Sequence, residues 1–365
     1  MFDDWVFQYL PKIFCGLAFF VNPIFIYMIF TEKSKKFGNY RFLLLFFALF
    51  NLIYSVVNVV VPLVRSWDIL LTGRHVVALN FQDIHSYRYC FFLFLKHGWF
   101  VEPSEFHFNL LVARCSLVAA SYAILLIHFI YRYLAIHNSK FTREKFHLYM
   151  TFSVLVFAMY FGVWHAVSNF LMELLTETSF QICFYPGRAN VEIKKYIRED
   201  FREIYSSDSM DFNMLGALFN EGSEETTFQS WVAVILWSSL STISIVMFLA
   251  LAVMIIKKLN KMAPNASRKT SKFQVELLRA LVVQTVIPIF ISFSPCLLSW
   301  YSPMLGIQLG RGINYIEAMA LGVFAFVDPV AIILCLPIFR NKIFRFCRDG
   351  GSKLKSAKSS TEQAN

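Results

Sequence analysis

The 365-residue chain is poor in charge and lacks the motifs that mark most enzymes. Asp, Glu, Lys and Arg together make up only 16% of it, whereas an average soluble domain has about 25%. No GxSxG, HExxH, P-loop or dinucleotide-binding fingerprint occurs in the sequence. No cluster of acid, base and nucleophile points to catalysis within an apolar run. We therefore expect a protein that is not an enzyme and that needs no cofactor.

Metal-ligand spacing is also absent. The seven cysteines form no CxxC pair, and no His/Cys ligand pattern accompanies them, so we expect no bound metal. The net charge is +10, but the basic residues lie beside the ends of apolar runs and form no stripe along which a phosphate backbone could bind. This arrangement argues against nucleic acid as a partner.

Long apolar runs are the main feature of the chain. Hydrophobic residues make up 57% of the sequence, and 41 residues are Phe. A helix needs about 20 residues to cross the hydrocarbon layer of a membrane, which is about 30 Å thick. The sequence predicts an all-α fold, a bundle of seven membrane-spanning helices in residues 1–345, with spans at about 10–30, 42–64, 110–136, 148–170, 230–256, 280–300 and 315–339.

The connecting segments predict the orientation of the bundle, because loops rich in Lys and Arg stay in the cytoplasm. Basic residues dominate segments 31–41, 137–147 and 257–279. Segment 171–228 instead has eleven acidic and five basic residues, a net charge of −6. We expect a long acidic extracellular loop at 171–228, an N-terminus outside the cell and a C-terminus in the cytoplasm.

Seven short segments occur along the chain in a characteristic order, namely GNYR at 38–41, IHSY at 84–87, HFIYRYLA at 128–135, YIRED at 196–200, SRKT at 267–270, ALVVQTVIP at 280–288 and DP at 328–329. In order and spacing they resemble nematode seven-helix chemoreceptors of the Str class, the group that includes nematode odorant receptors. The similarity extends from about residue 10 to residue 345.

The resemblance implies a G-protein-coupled receptor in the plasma membrane, with sensory cilia as its expected site. Such a receptor binds a small environmental chemical cue, odorant-like or pheromone-like, in the outer half of the bundle and activates a heterotrimeric G protein inside the cell. The alternative is a small-molecule transporter or ligand-gated channel, since polar residues within the spans could line a path. No inverted repeat supports that alternative. The polar residues are Asn22, Asn51, Asn58 and Gln284.

The resemblance also implies residues for activation. An arginine in the inner end of a membrane helix is costly unless it faces water or a partner, which makes Arg132 a functional candidate. The alternative is that Arg132 reaches to the interface as an anchor. Lysines of the third inner loop could contact the G protein or only hold the topology against anionic lipid. Prolines could serve as hinges or be incidental. The coupling and activation candidates are Tyr131, Arg132, Tyr133, Lys269, Lys272, Asp328 and Pro329, and the hinge candidates are Pro288 and Pro295.

A second group of residues is predicted to line the ligand site. Arg114 lies 18 residues, or five helical turns, before Arg132 and so shares its face. We hypothesise that Arg114 meets Glu317 across the cavity, pairing with it or binding a polar ligand group. The alternative is that each caps its helix in the headgroup region. Further ligand candidates follow Arg114 on its helix, namely Ser116, Ala119 and Tyr122.

Cysteines and the C-terminal tail complete the predictions. Cys90 and Cys183 fall in outside loops and could form a disulfide, with Cys115 as the competing partner. Residues 339–348 predict a short amphipathic helix on the inner leaflet, where membrane lipid would be its partner and Cys347 could be palmitoylated. The tail 346–365 is polar, is expected to be largely disordered, and offers hydroxyl groups to a receptor kinase or an arrestin.

The topology is directly testable. An epitope inserted in segment 171–228 should bind antibody on intact cells, and a C-terminal epitope should bind only after the cells are made permeable. The Asn265-Ala266-Ser267 sequon should carry no glycan, because the charge pattern places it in the cytosol. A glycan on Asn265, or an epitope in 171–228 that needs permeabilised cells, would contradict the predicted orientation.

Overall fold

The structure is a computed structural model that describes residues 2–32, 38–60, 84–94, 104–137, 139–169, 187–262, 268–307, 323 and 325–345. Within these ranges the chain is mainly helical, which confirms the predicted all-α class. The N-terminal half contains α1 (Phe2–Thr31), α2 (Tyr40–Val60), β1 (Ile84–Tyr87), β2 (Cys90–Phe94), α3 (Glu105–His137), α4 (Ser139–Glu144) and α5 (Phe146–Asn169).

The C-terminal half begins with a compact segment and continues with long helices. It contains α6 (Val191–Tyr196), α7 (Arg198–Tyr205), a 3₁₀ turn (Ser209–Asp211), β3 (Met214–Leu218), α8 (Glu224–Met262), α9 (Arg268–Pro288), a π-helical turn (Ile289–Phe293) and α10 (Ser294–Met304). Helix α11 (Ala325–Cys335) and a last helix, α12, at 337–345 follow.

Four of the described helices are long and apolar enough to cross a membrane, namely α2, α3, α5 and α8. The apolar span of α3 is 78% buried within the protein, whereas that of α5 is 17% buried and that of α8 is 22% buried. Helix α3 is therefore the central helix, and the others surround it. Large apolar side chains face outward from the bundle, as expected for a surface in hydrocarbon; examples are Phe20, Phe30, Leu155, Val246 and Leu249.

An antiparallel sheet in the order β1-β2-β3 was not predicted. Its strands come from the first predicted outside loop and from the acidic segment 171–228, and Cys90 in β2 stands opposite Leu218 in β3. We call residues 84–94 and 187–219 the cap. The acidic segment is thus not a simple loop, because α6, α7 and β3 are folded within it.

Both faces of strands β2 and β3 are buried, and successive residues alternate between the faces, as a strand requires. Phe92 and Phe94 pack into the core of the cap beside Phe201 of α7. Phe91 and Leu93, which alternate with them in β2, pack against the helix bundle. The sheet therefore joins two apolar cores, one in the cap and one in the bundle.

Polar contacts attach the cap to two of the long helices. Arg188 donates two hydrogen bonds, of 2.7 and 3.1 Å, to the carboxylate of Glu105 at the start of α3. Glu192 of α6 accepts hydrogen bonds from the backbone N–H and the hydroxyl of Ser223, both 2.7 Å, and from the hydroxyl of Thr226 at the start of α8. These hydrogen bonds lower the pKa of Glu192.

The attachment of the cap to α8 should depend on pH. Because the folded pKa of Glu192 is lowered, its carboxylate stabilises the fold above the ordinary carboxyl pKa, and this stabilisation is lost as the pH falls through the folded pKa. We expect Glu192→Gln to lower stability by about 1 kcal/mol at pH 7 and to make little difference in strong acid. Thermal melting of the purified protein across pH measures this.

The matched control is Glu203→Gln, which removes an exposed carboxylate from α7. It should leave the melting curve close to that of the wild type at every pH. Equal effects of the two substitutions, or an effect of Glu192→Gln that grows on acidification, would contradict the role assigned to Glu192.

Candidate functional site

A cavity of about 70 Å³ lies beneath the sheet of the cap, among α3, α5, α8 and α10. Phe91, Leu93 and Leu215 form its roof, because the bundle-facing side chains of β2 and β3 point into it. The other lining residues come from the helices and the π-helical turn, and are Cys115, Val118, Ala119, Tyr122, Trp164, Trp237, Ser241, Phe293, Cys296 and Trp300.

Three tryptophans form most of one wall. The rings of Trp164 and Trp237 stack, with centroids 5.1 Å apart and planes 19° apart. Trp300 lies against both, at 6.0 and 6.2 Å, and Phe91 from the roof meets Trp300 edge-on at 6.4 Å. Aromatic pairs in such geometries add about 0.5–1.5 kcal/mol beyond the area they bury, so this wall is a well-packed surface.

The described lining contains no Asp, Glu, Lys, Arg or His. Its polar groups are the hydroxyls of Tyr122 and Ser241, the thiols of Cys115 and Cys296, and the indole N–H groups of the tryptophans. At one end of the cavity Tyr122 meets Phe293 edge-on, with ring centroids 5.7 Å apart. The arrangement suits a small, mostly apolar guest and provides no set of groups for acid or base chemistry.

Two of the predicted ligand residues, Ala119 and Tyr122, line this cavity. Arg114 and Ser116 are buried in α3 but do not belong to the lining, and the hydroxyl of Ser116 donates to the carbonyl of Val112 at 2.9 Å. Glu317 lies outside the described residues, so its predicted pairing with Arg114 stays a prediction.

Sequence reasoning missed the tryptophan wall and the roof. The sequence did contain a signal for the wall. Trp164, Trp237 and Trp300 each lie within seven residues of the predicted outer end of a span, so the three side chains are at similar depth on different helices. Side chains at equal depth on neighbouring helices can meet. No comparable signal indicated that Phe91 and Leu215 would lie over the cavity.

At the far end of α3 from the cap, Arg132 is buried, with only 4% of its surface exposed. Its guanidinium lies over the ring of Tyr40 at 3.5 Å. That ring stacks on Tyr131 at 5.4 Å, and its hydroxyl is 3.0 Å from Nδ1 of His128. Tyr131 in turn meets Tyr149 of α5 at 5.3 Å. Among the described residues, Nε and Nη2 of Arg132 have no hydrogen-bond partner.

The structure gives less detail on Tyr133, Lys269 and Lys272, which are also activation candidates. Tyr133 is half-buried on α3, and its ring lies 5.7 Å from that of His137. Lys269 and Lys272 belong to the first turns of α9, but their side chains are not described.

Asp328 in α11 is one of several buried polar side chains that lack partners among the described residues. Asp328 is fully buried, and both of its carboxylate oxygens lack a hydrogen-bond partner in the part of the chain that the structure describes. The same holds for the side-chain amide of Asn51, while Asn22 donates to the carbonyl of Ala325 at 3.1 Å. Pro329 is also buried. A native protein rarely leaves such groups unsatisfied. The carboxylate of Asp328 can therefore accept hydrogen bonds that none of the described contacts supplies.

The two hinge candidates flank an irregular turn. Pro288 ends α9, Pro295 lies in the first turn of α10, and the π-helical turn Ile289–Phe293 separates the two helices. A proline removes a backbone donor and opens the helix locally. The hydroxyl of Ser294 donates to the carbonyl of Ile289 at 2.8 Å, which satisfies one of the carbonyls in the break.

The described cysteines form no disulfide with one another. Cys90 is buried in β2, with its Sγ 3.6 Å from the carbonyl oxygen of Phe91, and burial raises the pKa of its thiol. Cys115 lines the cavity. Cys183 and Cys347 lie outside the described residues, so the disulfide and the lipid anchor stay predictions.

Four described helices are long and apolar enough to cross a membrane, and three of them line a cavity whose described lining is uncharged. The chain belongs to the Srj family of serpentine seven-transmembrane G-protein-coupled chemoreceptors, whose family model matches residues 1–343. It is therefore a multi-pass integral membrane protein of a chemoreceptor family, and that family is not one of enzymes. The motif order had resembled the Str class, and this finer assignment is not confirmed.

Curated relatives agree with the family. The chain is 56% identical over 355 residues to "Serpentine receptor class J-38" of Caenorhabditis elegans, covering 97% of both chains. It is 23% identical to "Serpentine receptor class r-10" of Caenorhabditis briggsae over 339 residues, covering 91% of this chain and 87% of that one. The Caenorhabditis elegans protein of the same name is also 23% identical, over 360 residues.

The contact between Arg132 and Tyr40 can be measured by a double-mutant cycle. We expect Tyr40→Leu and Arg132→Met each to lower the melting temperature of the purified receptor. Their combined effect should be smaller than the sum by about 1–2 kcal/mol, because a desolvated cation on an aromatic face is worth about that much.

Tyr40→Phe serves as the control for this cycle. It keeps the ring under the guanidinium and removes only the hydroxyl that meets His128, so its coupling with Arg132→Met should stay close to zero. Strictly additive effects of Tyr40→Leu and Arg132→Met would contradict the contact.

Proposed function

We propose that this receptor binds a small chemical cue from the environment in the cavity beneath the cap and activates a heterotrimeric G protein at the cytoplasmic end of α3. The receptor lies in the plasma membrane with its N-terminus and the cap outside the cell. The observation that carries the proposal is the position of Phe293, which lines the cavity and also belongs to the π-helical turn between α9 and α10.

A ligand in this cavity touches two elements that could transmit its presence. One is the π-helical turn, where the helix is already broken and a change of bend is least costly. The other is α3, since Tyr122 lines the cavity and Arg132 lies ten residues further along the same helix, a distance of about 15 Å. A ligand changes the conformation only by binding one state better than another, and contacts at a hinge provide such a difference.

The contacts of Arg132 support an inactive state in this structure. An arginine that only anchored its helix would extend its guanidinium to the surface, whereas Arg132 is buried over Tyr40. Many related receptors hold this arginine with an acidic neighbour, and here Tyr131 occupies that position. The cation–π contact with Tyr40 takes over the restraint, and activation releases Arg132 toward the G protein.

Other candidates fit the same proposal at the cytoplasmic side. Lys269 and Lys272 lie at the start of α9, the helix that continues through the π-helical turn, and they contact the G protein when α9 swings outward. Asp328 and Pro329 lie where α11 changes shape, which gives the unsatisfied carboxylate new partners in the active state. The tail offers sites for a receptor kinase or an arrestin.

Filling the cavity should abolish the response to a chemical cue. Agonists are first identified by a calcium or cAMP readout in cells that express the receptor with a G protein. Ala119→Trp should then reach the cell surface and fail to respond, because the indole occupies the cavity. The matched control is Ala250→Trp on the exposed face of α8, which should respond normally.

Arg132→Ala separates binding from signalling. It should bind the agonist as the wild type does and activate no G protein.

A normal response from Ala119→Trp would place the ligand elsewhere. Ion current carried by the purified receptor without any G protein would instead support a transporter or ligand-gated channel.

A further inference from the structure

Trp237 lines the cavity and has a hydrogen-bond donor that the described residues leave unused. Its side chain is only 2% exposed and belongs to the lining, yet its Nε1 has no hydrogen-bond partner among the residues that the structure describes. The indole N–H can only donate. Leaving a buried donor unpaired costs about 1–3 kcal/mol, and a group that accepts from Trp237 recovers the part of this energy that exceeds the loss of its own hydrogen bonds to water.

Its neighbours on α8 show that this is not a general feature of the helix. The hydroxyl of Ser238 pairs with that of Tyr301 at 2.6 Å, and the hydroxyl of Ser244 pairs with that of Tyr160 at 2.7 Å. These pairs tie α8 to α10 and α5. Ser241 lies one turn beyond Trp237, on the same helix face, and also lines the cavity. Trp237 and Ser241 are therefore the residues of α8 in the described lining, and they carry an indole N–H and a hydroxyl.

The rest of the cavity limits the charge and the size of a guest. No charged side chain belongs to its described lining, so an ionised ligand would lose its hydration without gaining a counter-ion. One water molecule needs about 10–15 Å³ of cavity volume. A cavity of about 70 Å³ therefore has room for about five to seven groups, each the size of a water molecule. The guest is a small molecule.

The tryptophan wall could suggest a cation held against aromatic faces. That interaction needs indole faces open to the ligand. Trp164 and Trp237 stack on one another at 5.1 Å, so each uses one face for the other ring. Trp300 packs on both. The wall is a packed apolar surface, and it does not have the geometry of a cage around a cation.

We infer that the cavity selects small uncharged molecules that have a hydrogen-bond acceptor oxygen, such as a ketone, an ester or an ether. The oxygen accepts the Nε1–H of Trp237, and the hydrocarbon portion packs against Trp300 and the roof residue Leu215. This inference rests on the proposed function, since it names the ligand class of the same cavity. Trp237 determines specificity, because a hydrocarbon of equal size leaves its N–H unpaired.

The test uses matched probes on the purified full-length receptor in lipid nanodiscs. Cyclopentane, cyclopentanone and cyclopentylammonium have one ring and differ in charge and in acceptor oxygen. Cyclobutanecarboxylate is the anion of matching size, and cyclohexane, cyclohexanone and cyclohexylammonium repeat the comparison. Dissociation constants follow from the dependence of the melting temperature on ligand concentration. We expect each ketone to bind about tenfold more tightly than its hydrocarbon and more tightly than either ionised form.

The decisive variant is Trp237→Phe, which keeps an aromatic ring and removes the N–H. It should abolish the tenfold preference for the ketones and leave hydrocarbon affinity nearly unchanged. The matched control is Trp231→Phe, six residues earlier on α8, where Trp231 is 39% exposed and packs on Phe219 outside the lining. That variant should keep the full preference.

The outcomes separate this inference from the proposed function. Tightest binding by the carboxylate or the ammonium ions, or a ketone preference that survives Trp237→Phe, would overturn the ligand class and leave the cavity as the binding site. If no probe of either series binds, and Ala119→Trp still responds to agonists in cells, then the cavity is not the binding site and both proposals fail.

Discussion

The two-sided burial of the cap sheet is the constraint on which the rest of this structure depends. Strands β2 and β3 place alternate side chains in the cap core and in the bundle core. The same bundle-facing residues, Phe91, Leu93 and Leu215, form the roof of the cavity. Because strand side chains alternate strictly, the packing of the cap and the shape of the cavity are fixed together.

Helix α3 connects the two ends of the receptor. It contributes Ala119 and Tyr122 to the cavity and holds Arg132 over Tyr40 at the opposite end. Its burial on nearly all sides means that a shift of α3 disturbs packing against α2, α5 and α8 together. Tightly packed interiors tend to change between discrete arrangements, which is a suitable property for a helix between the proposed ligand site and the proposed coupling site.

The sequence predicted the helical fold well and the cavity only incompletely. Long apolar runs identify helices because lipid leaves the backbone no other way to satisfy its hydrogen bonds. The sheet was missed because its strands are short and buried on both faces, so Cys90–Phe94 and Met214–Leu218 show no polar alternation. Ala119 and Tyr122 were found from helical spacing. The tryptophan wall and the pair of Arg132 with Tyr40 depend on how neighbouring helices are rotated, which one sequence does not specify.

The roof over the cavity also bears on how fast the receptor can sense its surroundings. A guest that arrives through the sheet must separate the apolar surfaces of the cap and the bundle, and this exposes hydrophobic area to water until the sheet closes again. Such gating lowers the association rate below the diffusion limit and lowers the dissociation rate as well. With the cavity as the proposed ligand site, a receptor built in this way would keep a captured molecule for longer than its modest contact area suggests, and its signal would outlast a brief pulse of stimulus.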